Sequence, residues 1–534
     1  MRLLHKLKRL FHKSPSPSRQ QTEPSMPSSR LHRRLQPNLR YIRQVLGNSG
    51  DLIIREFPVG PDARLNAAIL YTDGLVDAPS VQSFILESLM TDLDKAELEK
   101  AIRTGRNMLH YLKDHALTVS GIQPLLDCDK LFNALLSGSV IFLLDGYDEG
   151  FTIDLSKHEH RQVSEPAVES VVRGPREGFT ENLRTNTALV RRKIKDRNLW
   201  MENRTIGTVT QTEVAVMYIR GIVNGQIVEE VRARLDRIDI DGILESGYIE
   251  ELIQDETFTP FPTIYNTERP DVIAAELLEG KVAIFVDGTP FVLIVPALFV
   301  SFLHSAEDYY QRADISTLLR MIRYVGFFTA LLAPSLYIAI TTFHQEMLPT
   351  QLLISLAAQR EGIPFPAFIE ALMMEITFEI LREAGLRMPR AIGQAVSVVG
   401  TLVIGQAAVE AGIVSAAMVI VVSITAISSF VFPAVNMSIS IRMLRFPLMI
   451  LAATFGLFGT IFGLLALVLH LCSLRSFGVP YMSPFAPFHL EEQKDTIFRL
   501  PLWMMRKRPR SIRPGNAVRQ QPAPAPKSRP KPQH

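Results

Sequence analysis

Cysteine is almost missing from this chain of 534 residues: Cys128 and Cys472 are the whole complement. Two thiols so far apart exclude a disulfide framework and the paired spacing of a structural zinc site. Net charge is also missing. Lys and Arg number 57 against 54 Asp and Glu, leaving +3, so no global attraction to a polyanion is expected. Neither G-x-G-x-x-G nor G-x-x-x-x-G-K-[ST] occurs, which removes the common phosphate loops. No nucleophile–base pair or ligand cluster stands out. An enzyme is therefore not expected, and no catalytic residue, cofactor or metal is assigned. His158 and His160 flank Glu159 in a polar stretch that reads as a solvated loop. No apolar stretch of secretory type opens the chain. Residues 1–13 (MRLLHKLKRLFHK) are basic, with Leu3, Leu4, Leu7 and Leu10 at helical spacing. They form either a membrane-surface helix or a frayed terminus. Residues 1–37 together read as a disordered basic N-terminus.

Hydrophobic residues make up 47% of the chain, and they are unevenly spread. Up to about Pro290 charged and apolar residues mix. From Phe291 to Cys472 Ile, Leu, Val, Ala, Phe and Gly dominate. The expected fold is a multidomain membrane protein: an N-terminal soluble α/β region of two tandem related subdomains, then an α-helical transmembrane bundle. Boundaries fall at 38–160 and 161–295 for the subdomains, 296–320 for a junction and 321–475 for the transmembrane helices. A cytoplasmic-type tail follows over 476–534, disordered from about 511.

The tandem arrangement rests on two recurrences. AAILYTDGLVD at 67–77 and VAVMYIRGIVN at 214–224 share Ala68/Ala215, Tyr71/Tyr218, Gly74/Gly221 and Val76/Val223. Each is an apolar run, a Gly turn and then a helix, over roughly 81–93 and 226–235. GSVIFLLDG at 138–146 and GKVAIFVDG at 280–288 share Val140/Val282, Asp145/Asp287 and Gly146/Gly288. Asp-Gly between apolar runs predicts a hairpin with a type I′ turn. The strands would be 141–144 with 151–155, and 282–286 with 291–295. Between the units, 172–197 carries eight Lys and Arg without interleaved aromatics, so nucleic acid is not an expected partner. A subunit contact or headgroup surface fits that stretch better, and a solvated basic helix is the plain alternative.

About 20 apolar residues are needed to cross the hydrocarbon core as a helix. Segments 321–343, 391–409, 413–432 and 447–471 qualify. Segment 291–303 is too short and reads as a strand followed by a junction helix. Segment 365–381 carries Glu370, Glu375 and Glu379. Glu375, Glu379 and Glu383 share one helix face, which either lies in interfacial water or lines a polar cavity. Arg312, Arg320 and Arg323 before the first span place the soluble region in the cytoplasm. The basic tail favours a cytoplasmic C-terminus, hence four crossings. Arg382, Arg387, Arg390, Arg442 and Arg445 oppose that count and would suit a fifth crossing at 365–381.

On 391–409 the residues Gln394, Ser397, Thr401, Gly405 and Ala408 share a polar or small face. The face either lines a water-filled path with Glu410 at its mouth, or packs on a neighbouring helix. Val398, Val399 and Val403 lie close by and would suit a hydrophobic constriction.

Four stretches go beyond generic patterning: RGPREGFTENLRTNTALVRRKI (173–194), PFPTIYNTERPD (260–271), GKVAIFVDGTPFVLIVPALFVSFLHSAEDYYQR (280–312) and GQAVSVVGTLVIGQAAVEAGIVS (393–415). They resemble the A subunits of spore germination receptors, the GerA family, over about residues 38–483. The resemblance implies a multi-pass protein of the spore inner membrane with its N-terminal region cytoplasmic. It implies a permease-like B subunit and a lipoprotein C subunit as partners. It also implies a homo-oligomer in membrane lipid that conducts monovalent cations when a nutrient triggers germination. Gln394, Ser397, Val399, Thr401 and Glu410 would then be pore-lining, and Asp308, Tyr309 and Tyr310 would lie in the coupling junction. A non-conducting scaffold or signalling subunit, or a sporulation-specific relative, is the alternative.

Overall fold

The computed structural model describes residues 30–59, 65–83, 109, 111, 122–156, 165–166, 168–387, 405–512 and 514–520. The chain forms two compact units, Met1–Lys157 with Lys195–Arg197, and His158–Ile194 with Asn198–His534.

The first unit holds α1 (Leu35–Val45), β1 (Leu52–Val59), β2 (Leu65–Thr72), α2 (Ala78–Val81), β3 (Ile122–Leu125), α3 (Cys128–Leu136), β4 (Ser139–Leu144) and β5 (Gly150–Asp154). Its sheet runs β1-β2-β4-β5-β3, antiparallel throughout. The central strands β2 and β4 bury both faces, so they read as near-continuous apolar runs. Leu31 and Leu35 are buried with Leu39 and Ile42, so order begins before residue 37. The basic Ser/Pro composition that suggested a tether hides this apolar spacing at the start of α1. The expected helix at 81–93 is described only at its start.

The second unit opens with a sheet of the same order. Its elements are α4 (Leu183–Lys193), β6 (Leu199–Ile206), β7 (Thr212–Ile219), α5 (Gly225–Leu235), α6 (Ser246–Ile253), β8 (Tyr265–Thr267), α7 (Pro270–Glu279), β9 (Val282–Val286) and β10 (Val292–Val295). The strands run β6-β7-β9-β10-β8. The likeness extends to single hydrogen bonds. Asp145 Oδ1 accepts from Leu35 N at 2.8 Å, and Asp287 Oδ1 accepts from Leu183 N at 3.0 Å. Gly146 N donates to Arg33 O and Gly288 N to Glu181 O, each at 2.8 Å. The Asp-Gly pair thus anchors the start of a helix. The expected type I′ turn does not form: among the pair only glycine has positive φ, 93° at Gly146 and 90° at Gly288. The loops extend over 145–149 and 287–291 because the aspartate is turned toward the helix.

Beyond β10 come 3₁₀ turns at Phe299–Leu303 and Ala306–Tyr309, then α8 (Ala313–Phe343), α9 (Thr350–Arg360), α10 (Ala367–Arg387), α11 (Gly405–Glu410), α12 (Ala416–Ser429) and α13 (Val435–Ser473). One apolar core runs from the second sheet into these helices, joining Phe285 and Phe302 to Phe327, Ala330, Met437 and Leu448.

The element α13 is two antiparallel arms. Gly456 breaks it with φ 63° and ψ −141°. A methyl group on Gly463 would come within 2.6 Å of Leu448 Cδ2. In an unbroken helix those residues, fifteen positions apart, lie about 22 Å from each other. The glycines let the arms close. At the tip, a methyl on Gly456 would meet His344 Cε1 at 2.9 Å and Phe343 Cβ at 3.0 Å. The tip therefore lies at the far end of α8. The span expected at 447–471 starts in one arm and ends in the other. Hydrophobicity could not separate two apolar arms joined by one glycine.

The tail then returns to the second sheet. Ser476 Oγ accepts from Ala297 N at 2.9 Å and donates to Thr263 O at 2.7 Å. Tyr481 and Ile512 are fully buried in its two cores. Gly515 N donates to Ile222 O at 2.8 Å. Disorder expected from about 511 does not hold for the described residues through Gln520, because Ile512 is a core residue.

The hairpin carries a direct test. In a background of Cys128→Ser and Cys472→Ser, Leu448→Cys with Gly463→Cys should cross-link within one chain on mild oxidation. Absence of the intramolecular link would mean one continuous helix.

Candidate functional site

The described residues converge on a charged cluster where the second sheet, α8 and the tail meet. Ser305 caps the turn Ala306–Tyr309 with a reciprocal capping box, which fixes Asp308. Asp308 is 1% exposed. Arg323 donates to both of its oxygens, Nη1 to Oδ2 at 2.7 Å and Nη2 to Oδ1 at 2.8 Å. Arg320 Nε donates to Oδ2 at 3.0 Å. Arg320 Nη1 also reaches Asp495 of the tail, at 2.7 Å to its carbonyl and 3.0 Å to Oδ1. Tyr309 OH donates to Asp495 Oδ2 at 2.9 Å, and its ring lies under the guanidiniums of Arg320 and Arg499. Tyr310 OH donates to Asp271 Oδ2, which also takes Arg269 Nη2 at 2.8 Å. Asp308 and Tyr309 thus share one network through Arg320 and Asp495, while Tyr310 belongs to a separate set with Asp271 and Arg269, so the three expected junction residues are each tied to a different element.

Burial pushes the Asp308 carboxyl up, but Arg323 and Arg320 outweigh it and hold it below the usual carboxylate range. Burial dominates at Asp495, which is raised despite Arg320. Burial also holds the His304 imidazole well below its ordinary value, so it is neutral, with Nε2 3.1 Å from Thr496 O. Glu169 and Glu279 are each pushed by burial to about 7.

A second charged row lies among the helices. Glu375 pairs with Arg445, the carboxylate side chain 0% and the guanidinium 1% exposed. Arg445 Nε donates to Ala330 O at 3.0 Å. Glu379 pairs with Arg442, and Arg382 lies over the Phe430 ring. Glu370 Oε2 accepts from Ser415 N at 3.0 Å, with Arg360 beside it. Glu383 turns outward and pairs with Arg387. The face of α10 is therefore a packed face. Glu375 and Glu379 point at the first arm of α13, and only Glu383 is exposed.

These pairings explain why the arginines gave a divided topology. Arg320, Arg323, Arg442 and Arg445 are neutralised within the fold, so they carry little orientation signal. Spacing could not show it, because each carboxylate partner of Arg442 and Arg445 is more than 60 residues away.

Of the pore-lining candidates, Gln394, Ser397, Val399 and Thr401, with Val398 and Val403, lie outside the described residues. Glu410 ends α11, exposed, and accepts from Gln406 Nε2 at 2.8 Å. Gly405 is buried, with Val419 Cγ1 beside it. His158, Glu159 and His160 also lie outside the described residues. Among the described residues no group of His, Cys, Asp and Glu has metal-ligand geometry.

The model of the Bacillus/Clostridium GerA spore germination protein family matches residues 40–511. The chain belongs to the GerA family. Spore germination protein KA of Bacillus subtilis is 51% identical over 91% of this chain and 88% of its own length. Spore germination protein B1 of the same organism is 41% identical over 91% of this chain and 99% of its own. The N-terminal domain of the A subunit of the Bacillus megaterium germinant receptor GerK3 has a solved structure. It is 42% identical, covering 51% of this chain and 98% of that one, with a TM-score of 0.38. The GerA family is that of the spore germinant receptor A subunits, which are not enzymes. Among the described residues two segments, Ala313–Phe343 and the hairpin Val435–Ser473, are long and apolar enough to cross a membrane.

The sequence singled out Asp308, Tyr309 and Tyr310 but not Asp495, which the structure places beside two of them. That residue sits in a polar tail with no periodicity to mark it.

Replacing Asp308 by Ala leaves two buried guanidiniums short of a counter-charge. The expected loss is about 3–5 kcal/mol, read as a lower melting temperature of the full chain in detergent. Replacing both Asp308 and Arg323 by apolar residues should cost less than the single losses summed.

Acid and neutral limbs separate by sign. Asp308 has a depressed folded pKa. Its contribution is complete above the unfolded value of about 3.9 and fades as pH falls through the folded value. Glu169 and Glu279 are raised, so the folded chain binds more protons than the unfolded chain from about 4.3 to 7. Stability should fall as pH rises across that window. Gln at both positions should flatten the decline, and an unchanged slope would remove these groups as its source.

Proposed function

We propose that this chain is the A subunit of a nutrient germinant receptor in the spore inner membrane, where copies assemble into a gated cation channel. Permease-like B and lipoprotein C subunits are the proposed partners, and monovalent cations the permeant ions. The observation that carries the reading is the pairing of Glu375 and Glu379 on α10 with Arg445 and Arg442 on α13, the first pair buried and the second half-buried. Pairing lowers the cost of placing these charges among lipid-embedded helices. It also fixes α10, the helix that leads directly into the candidate pore residues Gln394, Ser397, Val399 and Thr401.

The proposed topology follows from packing. The tail is built into the second sheet, so both would lie on one side of the membrane and the crossings would be even in number. Landmarks give the direction of each helix. Arg445 meets Ala330, and Gly456 meets the end of α8. Ser415 meets Glu370, while Phe430 meets Arg382. Arg387 and Gly405 thus lie toward opposite ends of the helical region. With the span expected from sequence at 391–409, the helices α8, α10, α12 and the two arms of α13 make six proposed passages where four were expected. The extra two come from the charged α10 and from the glycine break. The junction of Asp308, Tyr309 and Tyr310 would transmit a change in the α/β region to α8, since Asp308 binds α8, Tyr309 the tail and Tyr310 the start of α7.

The test is conductance of the full chain in planar bilayers, in the Cys128→Ser, Cys472→Ser background. Thr401→Cys should give cation currents that a charged thiol reagent reduces several-fold, and the background chain should not respond. Silence from inserted, oligomeric protein with its B and C partners present would establish a scaffold in place of a channel.

A further inference from the structure

A groove of about 600 Å³ runs between the first half of α8 and the end of the second arm of α13. Met321, Val325 and Phe328 form one bank, and Leu464, Leu467 and Val468 the other. Phe261 and Phe299 close its floor, and Met482, Phe485 and Ile497 of the tail lie across one end. Its one polar side-chain atom, Tyr324 OH, is directed to Thr496 O. The banks stay open to the outside: Val325 is 65%, Phe328 51% and Val468 44% exposed.

Size decides what fits. A helix 10–12 Å across would fill this volume with roughly one to one and a half turns, too little for a stable helix contact. A hydrocarbon chain is narrower and has no backbone polar groups to satisfy, so the same volume accepts a long stretch of it. The tail that closes the groove also changes character there. Met482, Phe485 and Ile497 face the groove, while Pro484, Lys494, Asp495 and Thr496 of the same stretch line a cavity of mixed charge with Arg506, Lys507, Glu491 and Glu492, in which Lys507 is paired with Glu491. Lys494, Arg506 and Lys507 are exposed. Close by in sequence, Phe488, Leu490, Phe498, Leu502 and Trp503 are exposed too. Aromatic and aliphatic side chains interleaved with lysine and arginine suit the boundary between acyl chains and anionic headgroups.

We infer that the groove is a binding site for one anionic diacyl phospholipid. One acyl chain lies between α8 and α13, and the headgroup phosphate meets the basic tail at Lys494. The site rests on the membrane reading above and adds to it a resident lipid at the junction. Arg320 and Tyr324 of α8 bond the tail through Asp495 and Thr496, so the lipid would seat against the segment that holds the charged cluster.

The experiment is native mass spectrometry of the full chain released from detergent micelles supplied with phosphatidylglycerol or phosphatidylcholine. Wild type should retain one phosphatidylglycerol per protomer, at least tenfold over phosphatidylcholine. Val468→Trp and Val325→Trp fill the groove from opposite banks at exposed positions, and each should lower retention at least tenfold. Lys494→Glu should keep a bound lipid but lose the headgroup preference. Retention unchanged in both tryptophan variants overturns the site. So does equal retention of the two lipids by wild type, or loss of a co-purifying polypeptide in place of lipid. Failure of the membrane reading looks different: the chain would then leave spore membranes in an alkaline wash without detergent.

Discussion

The buried carboxylate of Asp308 is the constraint on which the rest of the second unit depends. A charge that is 1% exposed must be matched, and it is matched by two arginines one turn apart on α8. Arg320 then passes the connection to Asp495, so the middle of the chain, the first long helix and the tail share one set of hydrogen bonds. None of these groups can leave alone without stranding another. The same logic recurs deeper among the helices at Glu375 and Arg445, where the partner helix is reached across 70 positions of sequence.

Much of the α/β region was legible in the sequence because it is repetitive. The Tyr-x-x-Gly and Asp-Gly recurrences mark equivalent strands, and both sheets have the same order. What spacing could not supply was the purpose of the aspartate. Asp145 and Asp287 bond the first amide of helices about a hundred residues earlier, a contact that no local window contains. The junction was legible as a set of residues but not as a network, since its tail partner Asp495 lies beyond the apolar helices. The helical region was the least legible. Hydropathy sees neither a reversal at one glycine nor the cancellation of a glutamate by a distant arginine, and both bear on the count of passages. The candidate pore residues other than Glu410 lie outside the described residues, so their assignment still rests on the polar face and the family resemblance.

Membership of the GerA family places the chain among spore germination proteins, and the packing shows what a signal passing from the second sheet to the helices would traverse. The second sheet and the helices are not separate bodies joined by a tether. A single apolar core continues from Phe285 through Phe302 to Phe327 and Met437. Interiors packed this way respond as blocks and transmit small displacements. Movement of the second sheet would therefore be felt at the start of α8 without any dedicated linker.

The return of the tail has a consequence for how the protein is made. Ser476, Tyr481 and Ile512 are interior residues of a subdomain whose strands were synthesised some 200 residues earlier. Domains ordinarily fold as their own sequence emerges from the ribosome. This one cannot close until every intervening helix has been produced and placed. On the topology proposed above, a chain with one passage missing would deliver its tail to the opposite side, so closure would report that the helices lie in the right order and direction. The segment from Ser476 to Ile512 would thus act as a proofreading seal on the second unit.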